Sequence, residues 1–278
     1  RRSNPCLSGS GLVRLPEKIR GTLEKVVRDL SQRETVLGVG LFGSWSRGDA
    51  VLSSDVDLLV VDKQNKPCEF VERLELGDVL IDLDYVPSKW VLGPVPPEID
   101  QKLFETHVLY DRDWSLTNAK DWMVKAFRKR ERVNIRSEVY LVDADVYLSR
   151  AASACARGDF QSAVVFAGVG LESFLKTLIE LNLLPVSNSC FVRALDESCR
   201  KLGFRWVFES FMRVSMLGGV GYREADRKLG LFRAVWSDVS SFVKDHASKL
   251  DSVHFSVRSK LNYYGRPAFL RGMLARGQ

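Results

Sequence analysis

The sequence is poor in the residues that staple a fold or hold a soft metal. Its 278 residues include five cysteines (Cys6, Cys68, Cys155, Cys190 and Cys199), an odd count with no Cys-x-x-Cys pair. A disulfide framework is therefore excluded, and reduced, mostly buried thiols are expected. The three histidines, His107, His246 and His254, have no zinc-ligand spacing among themselves or with the cysteines. No apolar run approaches the roughly 20 residues needed to cross a bilayer, so no membrane span is expected. Arg1-Arg2-Ser3-Asn4-Pro5 is basic but leads into no apolar h-region, so a secretory signal is not expected and a cytoplasmic setting is. A chain that begins at Arg rather than Met reads as trimmed or only partly given. There is no internal repeat and no low-complexity stretch.

What is present is the material of a folded protein. The chain is 45% hydrophobic, 10% aromatic and 27% charged, which excludes a disordered or collagen-like chain. Its length suits one large domain or two ordinary ones. The net charge of +6 hides a split: residues 1–114 carry 15 Lys+Arg against 19 Asp+Glu, and residues 115–278 carry 26 against 16. An acidic front and a basic back suggest a division of labour, with metal in front and a polyanion behind.

The pattern divides at the same place. Apolar residues at Ile19, Leu23, Val26, Val27 and Leu30 predict a helix from Pro16 to about Gln32. Val36–Phe42, Asp55–Val61 and Val79–Val86 read as strands, His107–Tyr110 as an edge strand, and Glu69–Leu76 as a short helix. Beyond Asp113, strand signals nearly vanish. Helices are predicted over about Thr117–Arg132, Ser137–Ala156, Phe160–Leu183, Ser189–Leu202 and Arg223–Leu250, with breaks at Gly158-Asp159 and Leu184-Pro185. The last 27 residues hold five Arg or Lys and no acid, which reads as a tail that orders only on a partner or on the body of the protein.

The chemistry concentrates in Gly40-Leu41-Phe42-Gly43-Ser44-Trp45-Ser46-Arg47-Gly48 and, after it, Ser53-Ser54-Asp55-Val56-Asp57-Leu58. A strand that ends in Gly43-Ser44 and turns into a short helix offers backbone N–H groups and a hydroxyl to a phosphate. Asp55 and Asp57 stand two apart on a strand, so their carboxylates share a face. Carboxylates held together invite a hard divalent cation such as Mg²⁺, which takes oxygen ligands and keeps substrate phosphates in its shell. The strand Ile81-Asp82-Leu83-Asp84-Tyr85 offers a third carboxylate on one face, either Asp82 or Asp84.

Gly43-Ser44, Asp55-x-Asp57 eleven residues after the serine, and an acidic strand beyond resemble the DNA polymerase β-like nucleotidyltransferase superfamily, most closely its minimal branch. The resemblance covers roughly residues 36–87. It implies transfer of a nucleoside monophosphate from a nucleoside triphosphate (NTP) to an acceptor, with release of pyrophosphate. By the resemblance, Gly43 and Ser44 hold the β- and γ-phosphates. Asp55 and Asp57 bind two Mg²⁺ ions, with Mn²⁺ as an alternative. A third carboxylate, by preference Asp84 and otherwise Asp82, binds the catalytic ion and helps activate the nucleophile. Arg47 is a triphosphate contact or an exposed basic residue.

The back half resembles the HEPN helical domains that accompany minimal nucleotidyltransferases, and the bundle of kanamycin nucleotidyltransferase, through Ala154-x-Ala156-Arg157-Gly158-Asp159-Phe160-x-Ser162-Ala163 and Leu171-Glu172-Ser173-Phe174-Leu175-Lys176. The Arg-x4–6-His motif of HEPN ribonucleases is absent, so a nuclease role is not expected. Lys125, Arg128, Lys129, Arg130, Arg132 and Arg136 are either a solvated helix face paired with acids or a track for RNA. Trp114, Trp122, Phe127 and Tyr140 nearby read as core rather than stacking platforms, and Glu138, Asp143, Asp145 and Glu172 are candidates for an acceptor-side base.

The expectation is an α+β enzyme: a small mixed-sheet nucleotidyltransferase domain over 1–114, then an all-α bundle over 115–278 forming the other wall of a cleft. The charge of the helical half favours an RNA 3′ end, by preference tRNA, as acceptor. A small molecule of the aminoglycoside type, or a toxin–antitoxin role on tRNA or protein, is the alternative.

Overall fold

A computed structural model describes residues 15–52, 54–64, 69–187 and 190–245. Cys6, Cys68, Ser53, His246, His254 and the basic tail lie outside the described residues. The chain divides into two compact units. Of the described residues, the first takes those through Val95, then Glu105–Lys120 and those from Gly221; the second takes Pro96–Phe104 and Asp121–Val220.

The first unit is built on five strands, β1 (Val36–Phe42), β2 (Val56–Asp62), β3 (Phe70–Leu76), β4 (Val79–Pro87) and β5 (His107–Asp111), in the order β3-β4-β2-β1-β5. The β2–β4 pair is parallel and the others are antiparallel, so the sheet is mixed as expected. Helix α1 (Glu17–Ser31) buries Ile19, Leu23, Val26, Val27 and Leu30, the residues that predicted it, in a core with Val39, Leu41, Leu58, Val60, Ile81 and Leu83. These strand residues alternate with the ones on the opposite face, which carries the acids. A short α2 (Gly43–Arg47) follows β1, and α3 (Lys89–Leu92) follows β4. His107 and its neighbours form the edge strand anticipated there.

Glu69–Leu76, expected as a helix, is the edge strand β3. Phe70, Leu74 and Leu76 pack against the core on one face, and Gly77, at φ 62°, turns the chain straight back into β4. Phe70 stacks on Tyr85 with ring centroids 4.6 Å apart. The period-2 alternation and the glycine turn outweigh the helix-forming Glu, Arg and Leu.

In the second unit, a 3₁₀ turn (Pro97–Ile99) enters α4 (Asp100–Glu105), whose last residue belongs to the first unit. Helix α5 (Ser115–Ala126) begins in the first unit and ends in the second, where α6 (Arg130–Ala156), α7 (Phe160–Leu181), α8 (Phe191–Leu202) and α9 (Arg205–Val214) follow. The helix expected over Thr117–Arg132 stops at Ala126, and α6 runs unbroken from Arg130 through the gap expected before Ser137. The break at Gly158-Asp159 is present: Gly158 is left-handed at φ 78°, and the Asp159 carboxylate accepts the Ser162 N–H at 3.1 Å. Helix α9 was not anticipated. Its core contribution is Phe211, packed with Leu175, Ile179, Leu195 and Cys199. Helix α7 is long and apolar enough to cross a membrane by length and composition alone. Its apolar character is helical in period rather than one unbroken run, and Glu172, Lys176 and Glu180 lie within it. Helix α10 (Tyr222–Asp245) completes the described chain. Of the described cysteines Cys199 is buried, Cys190 half-buried and Cys155 exposed, so the thiols are less buried than expected.

Candidate active site

The site grows from the end of β1. Gly43 begins α2 at φ 76°, and a Cβ there would collide with the Asp57 carboxylate. Glycine is required at this position because that carboxylate packs directly on its backbone. The Trp45 indole is buried and donates to the Ser54 carbonyl at 3.4 Å. The Ser54 N–H donates to the Val51 carbonyl at 2.8 Å, and its hydroxyl accepts the Val51 N–H at 3.0 Å. These bonds set the loop that leads into β2 and so place Asp55 beside the turn.

Asp57 lies between Phe42 on β1 and Asp82 on β4 in the sheet register. Lateral neighbours in a sheet face the same way, so Asp57 and Asp82 meet on the face opposite the α1 core. One carboxylate oxygen from each of Asp55, Asp57 and Asp82 lies within 4.8 Å of the other two, and all three residues are half-buried. Burial pushes the Asp57 carboxyl well above the usual carboxylate range. The charges of Asp55 and Asp82 add to the rise, Arg47 opposes it, and Asp84 adds a little more. Arg73 of β3 reaches Asp82 from the outer side, Nε to Oδ1 at 3.4 Å.

The two candidates for the third carboxylate occupy different places. Asp82 joins the cluster. Asp84 sits two register positions further along, beside Leu59 and Val71, 5% exposed and outside the group of three. Ser44 is half-buried in the first turn of α2, next to Gly43. Arg47 is neither exposed nor isolated: its Nη1 donates to Glu105 at 2.7 Å and its Nε to Asp49 at 3.3 Å. Neither Glu105 nor Arg73 was singled out from the sequence. Glu105 is 58 residues from its partner, and Arg73 lay in a segment expected to be helical.

The basic run of the second unit is not uniform. Arg136, 4% exposed, donates to Glu180 from Nε at 2.9 Å and from Nη2 at 2.5 Å, and to Asp100 from Nη1 at 3.1 Å. It also donates to the Phe127 carbonyl at 2.8 Å and lies 3.9 Å from the centre of the Phe127 ring. Arg132 joins the same Asp100 at 2.6 Å. These two arginines are structural. Lys125, Arg128, Lys129 and Arg130 remain exposed. Phe127 is core, stacked on Phe104, whereas Trp114 and Trp122 are exposed against expectation. Tyr140 is half-buried, and burial first and the Glu180 charge second push its hydroxyl up to about 12. Glu138, Asp143 and Asp145 are exposed, and Glu172 pairs with Lys176 at 3.0 Å.

The nucleotidyltransferase domain family matches residues 23–113. A curated relative from Methanocaldococcus jannaschii, named "Putative protein adenylyltransferase", is 30% identical over 92 residues, 31% of this chain and 92% of the relative. The chain belongs to the nucleotidyltransferase domain family. The matched span contains the whole Gly43-Ser44 turn and the Asp55, Asp57 and Asp82 cluster, and the protein is a nucleotidyltransferase enzyme. Among solved structures, a nucleotidyltransferase-like protein from Exiguobacterium sibiricum has a TM-score of 0.41 at 12% identity over 72% of each chain, a likeness too slight to bear on function.

Proposed function

We propose that this nucleotidyltransferase transfers adenylate from ATP to a hydroxyl on a protein, with divalent cations held by Asp55, Asp57 and Asp82. The single observation that carries the metal reading is the convergence of three carboxylate oxygens within 4.8 Å beside a glycine turn. That donor set is hard and all-oxygen, which fits Mg²⁺ or Mn²⁺ and does not fit a thiolate-seeking ion. The rise of Asp57, from burial first and like-charged neighbours second, supports the same reading, because a cation there would offset the like charges. Bound divalent cations would neutralise charge on the phosphoryl oxygens and clamp the attacking and leaving oxygens.

The chain's own residues do the rest. The Gly43-Ser44 turn brings backbone N–H groups and a hydroxyl to the β- and γ-phosphates, and Arg47 adds a guanidinium. In the reaction the acceptor oxygen bonds to the α-phosphorus, the bond from that phosphorus to the β-phosphate bridging oxygen breaks, and pyrophosphate leaves. The acceptor proton passes to the Asp82 carboxylate, which Arg73 keeps oriented. Asp84 lies two residues further along β4 on the same face, 5% exposed.

The protein acceptor follows the name of the curated relative. An RNA acceptor is a second reading, favoured by exposed Lys125, Arg128, Lys129 and Arg130 near exposed Trp122. It is weaker than charge alone suggested, because Arg132 and Arg136 are committed to Asp100 and Glu180. Incubation of the protein with ATP labelled at the α-phosphate, Mg²⁺ or Mn²⁺, and separate protein and tRNA pools decides between them. Label on protein, lost in Asp57→Asn, supports the proposal. Label on tRNA alone selects the second reading, and no cation-dependent label in either pool defeats both.

A further inference from the structure

We infer that Glu105 is a positioning residue for the triphosphate side of the site: it aims the Arg47 guanidinium and ties the Gly43–Arg47 turn to the sheet. The inference rests on the reading of Arg47 as a triphosphate contact. Glu105 holds Arg47 at 2.7 Å with side chains 6% and 15% exposed, so the pair is shielded from water. The same residue's backbone carbonyl accepts the Ser46 hydroxyl, one position earlier on the turn. Two consecutive residues of α2 are therefore tied to one distant residue.

That residue is itself fixed. Thr106, fully buried, presses its methyl group against Gly40, where a Cβ would collide with it, and its carbonyl accepts the Lys120 ammonium. Gly40 lies on β1 just before Phe42 and the turn, so the brace spans the strand that launches the site. A guanidinium presents five N–H donors in a planar fork. Glu105 and Asp49 take Nη1 and Nε, which directs the Nη2 edge away from them. Arg47 is also close enough to the acid cluster for its charge to act on Asp57. A flexible cation is thus ordered before substrate arrives, and ordering in advance improves affinity for a ligand that uses it.

A double-mutant cycle on ATP binding in Mg²⁺ tests this, with AMP as the ligand that lacks the β- and γ-phosphates. Arg47→Ala and Glu105→Gln each weaken ATP binding about tenfold while AMP binding stays within about twofold, and the double variant is no weaker than Arg47→Ala by more than about twofold. Glu105→Gln binding ATP as tightly as the unmodified protein, or a loss that adds fully to that of Arg47→Ala, overturns the positioning role alone. If Arg47→Ala binds ATP normally, the triphosphate reading of Arg47 is wrong and the inference goes with it. Should Glu105→Gln not fold, Glu105→Asp carries the test, because the shortened carboxylate keeps its charge and gives an intermediate loss of ATP affinity.

Discussion

Both units bury acids, and they treat them in opposite ways. In the helical unit Asp100 and Glu180, 0% and 3% exposed, are met by Arg136 and Arg132 at hydrogen-bonding distance. In the sheet unit Asp55, Asp57 and Asp82 are gathered on one another, with Arg73 at the rim of the cluster and Arg47 committed to Glu105 and Asp49. Matched charges make a structural joint. Burial first, and then like charges held together by a sheet register, leave Asp57 reluctant to ionise, a state that a cation bound as proposed would relieve. Density of charge alone therefore says little about function, and what separates the two regions is that the helical unit sets its acids against arginines while the sheet unit sets three carboxylates against one another.

The largest expected effect falls on Asp57. Asp57→Asn removes a proposed cation ligand and a repulsive charge in one change of nearly constant shape. Nucleotidyl transfer falls about 10³-fold or more, in line with losing an electrostatic anchor of a phosphoryl transition state, while the cation-free protein melts higher than the unmodified one. Turnover and melting temperature measured on the same samples check both halves. An unchanged or lower melting temperature would mean that the cluster is not frustrated in the absence of a cation.

Arg136 carries the mirror-image expectation. Arg136→Met strips buried Glu180 of the guanidinium that meets it, while Asp100 keeps Arg132, at a cost of about 3–5 kcal/mol of unfolding free energy. Denaturant titration measures it, and Mg²⁺ gives no recovery if the network is purely structural. Recovery by Mg²⁺ would erase the distinction between the two regions.

Much of this was legible in the sequence, and the parts that were not share a cause. The strands β1, β2 and β4 and helix α1 announce themselves through local apolar pattern, and the glycine turn with Asp55 and Asp57 is a local motif. What escaped was set by partners distant in sequence. Strand β3 was obscured by good helix formers until its pairing with β4 was known. Asp82 and Asp84 look equivalent along one strand, and only the register with β2 puts Asp82 opposite Asp57 and Asp84 opposite Leu59. Arg132 and Arg136 looked like part of a surface track because Asp100 and Glu180 are 32 to 44 residues away.

The pH dependence of stability sharpens the comparison further. Asp57 holds its proton to a higher pH in the folded protein than an ordinary carboxylate, near 3.9, does in the unfolded chain. Between those two values the folded state binds the extra proton, so stability of the cation-free protein falls as pH rises. The loss is complete once Asp57 has ionised, at about 1.4 kcal/mol for each unit of the rise. If the cluster holds Mg²⁺ as proposed, the ion favours the ionised form and reverses the fall. Unfolding free energies across this range, with and without Mg²⁺, are expected to diverge as pH rises and to coincide at the acid end. Asp57→Asn should flatten the cation-free curve.

The smallest effect concerns the exposed cations. Lys129→Glu with Arg130→Glu changes a solvated surface, so stability moves by less than about 0.5 kcal/mol for each substitution. If the acceptor is a protein that does not use this face, transfer is equally unaffected. If it is RNA, abolishing one Lys or Arg bond to a phosphate reduces the salt slope of binding by about 1, and affinity falls most at low ionic strength. Binding of tRNA measured at several salt concentrations therefore tests whether the charge left over, with Arg132 and Arg136 committed to Asp100 and Glu180, has any partner. A slope that does not change on reversing both charges assigns these residues to a solvated helix face, and the positive charge of the back half then carries no information about the acceptor.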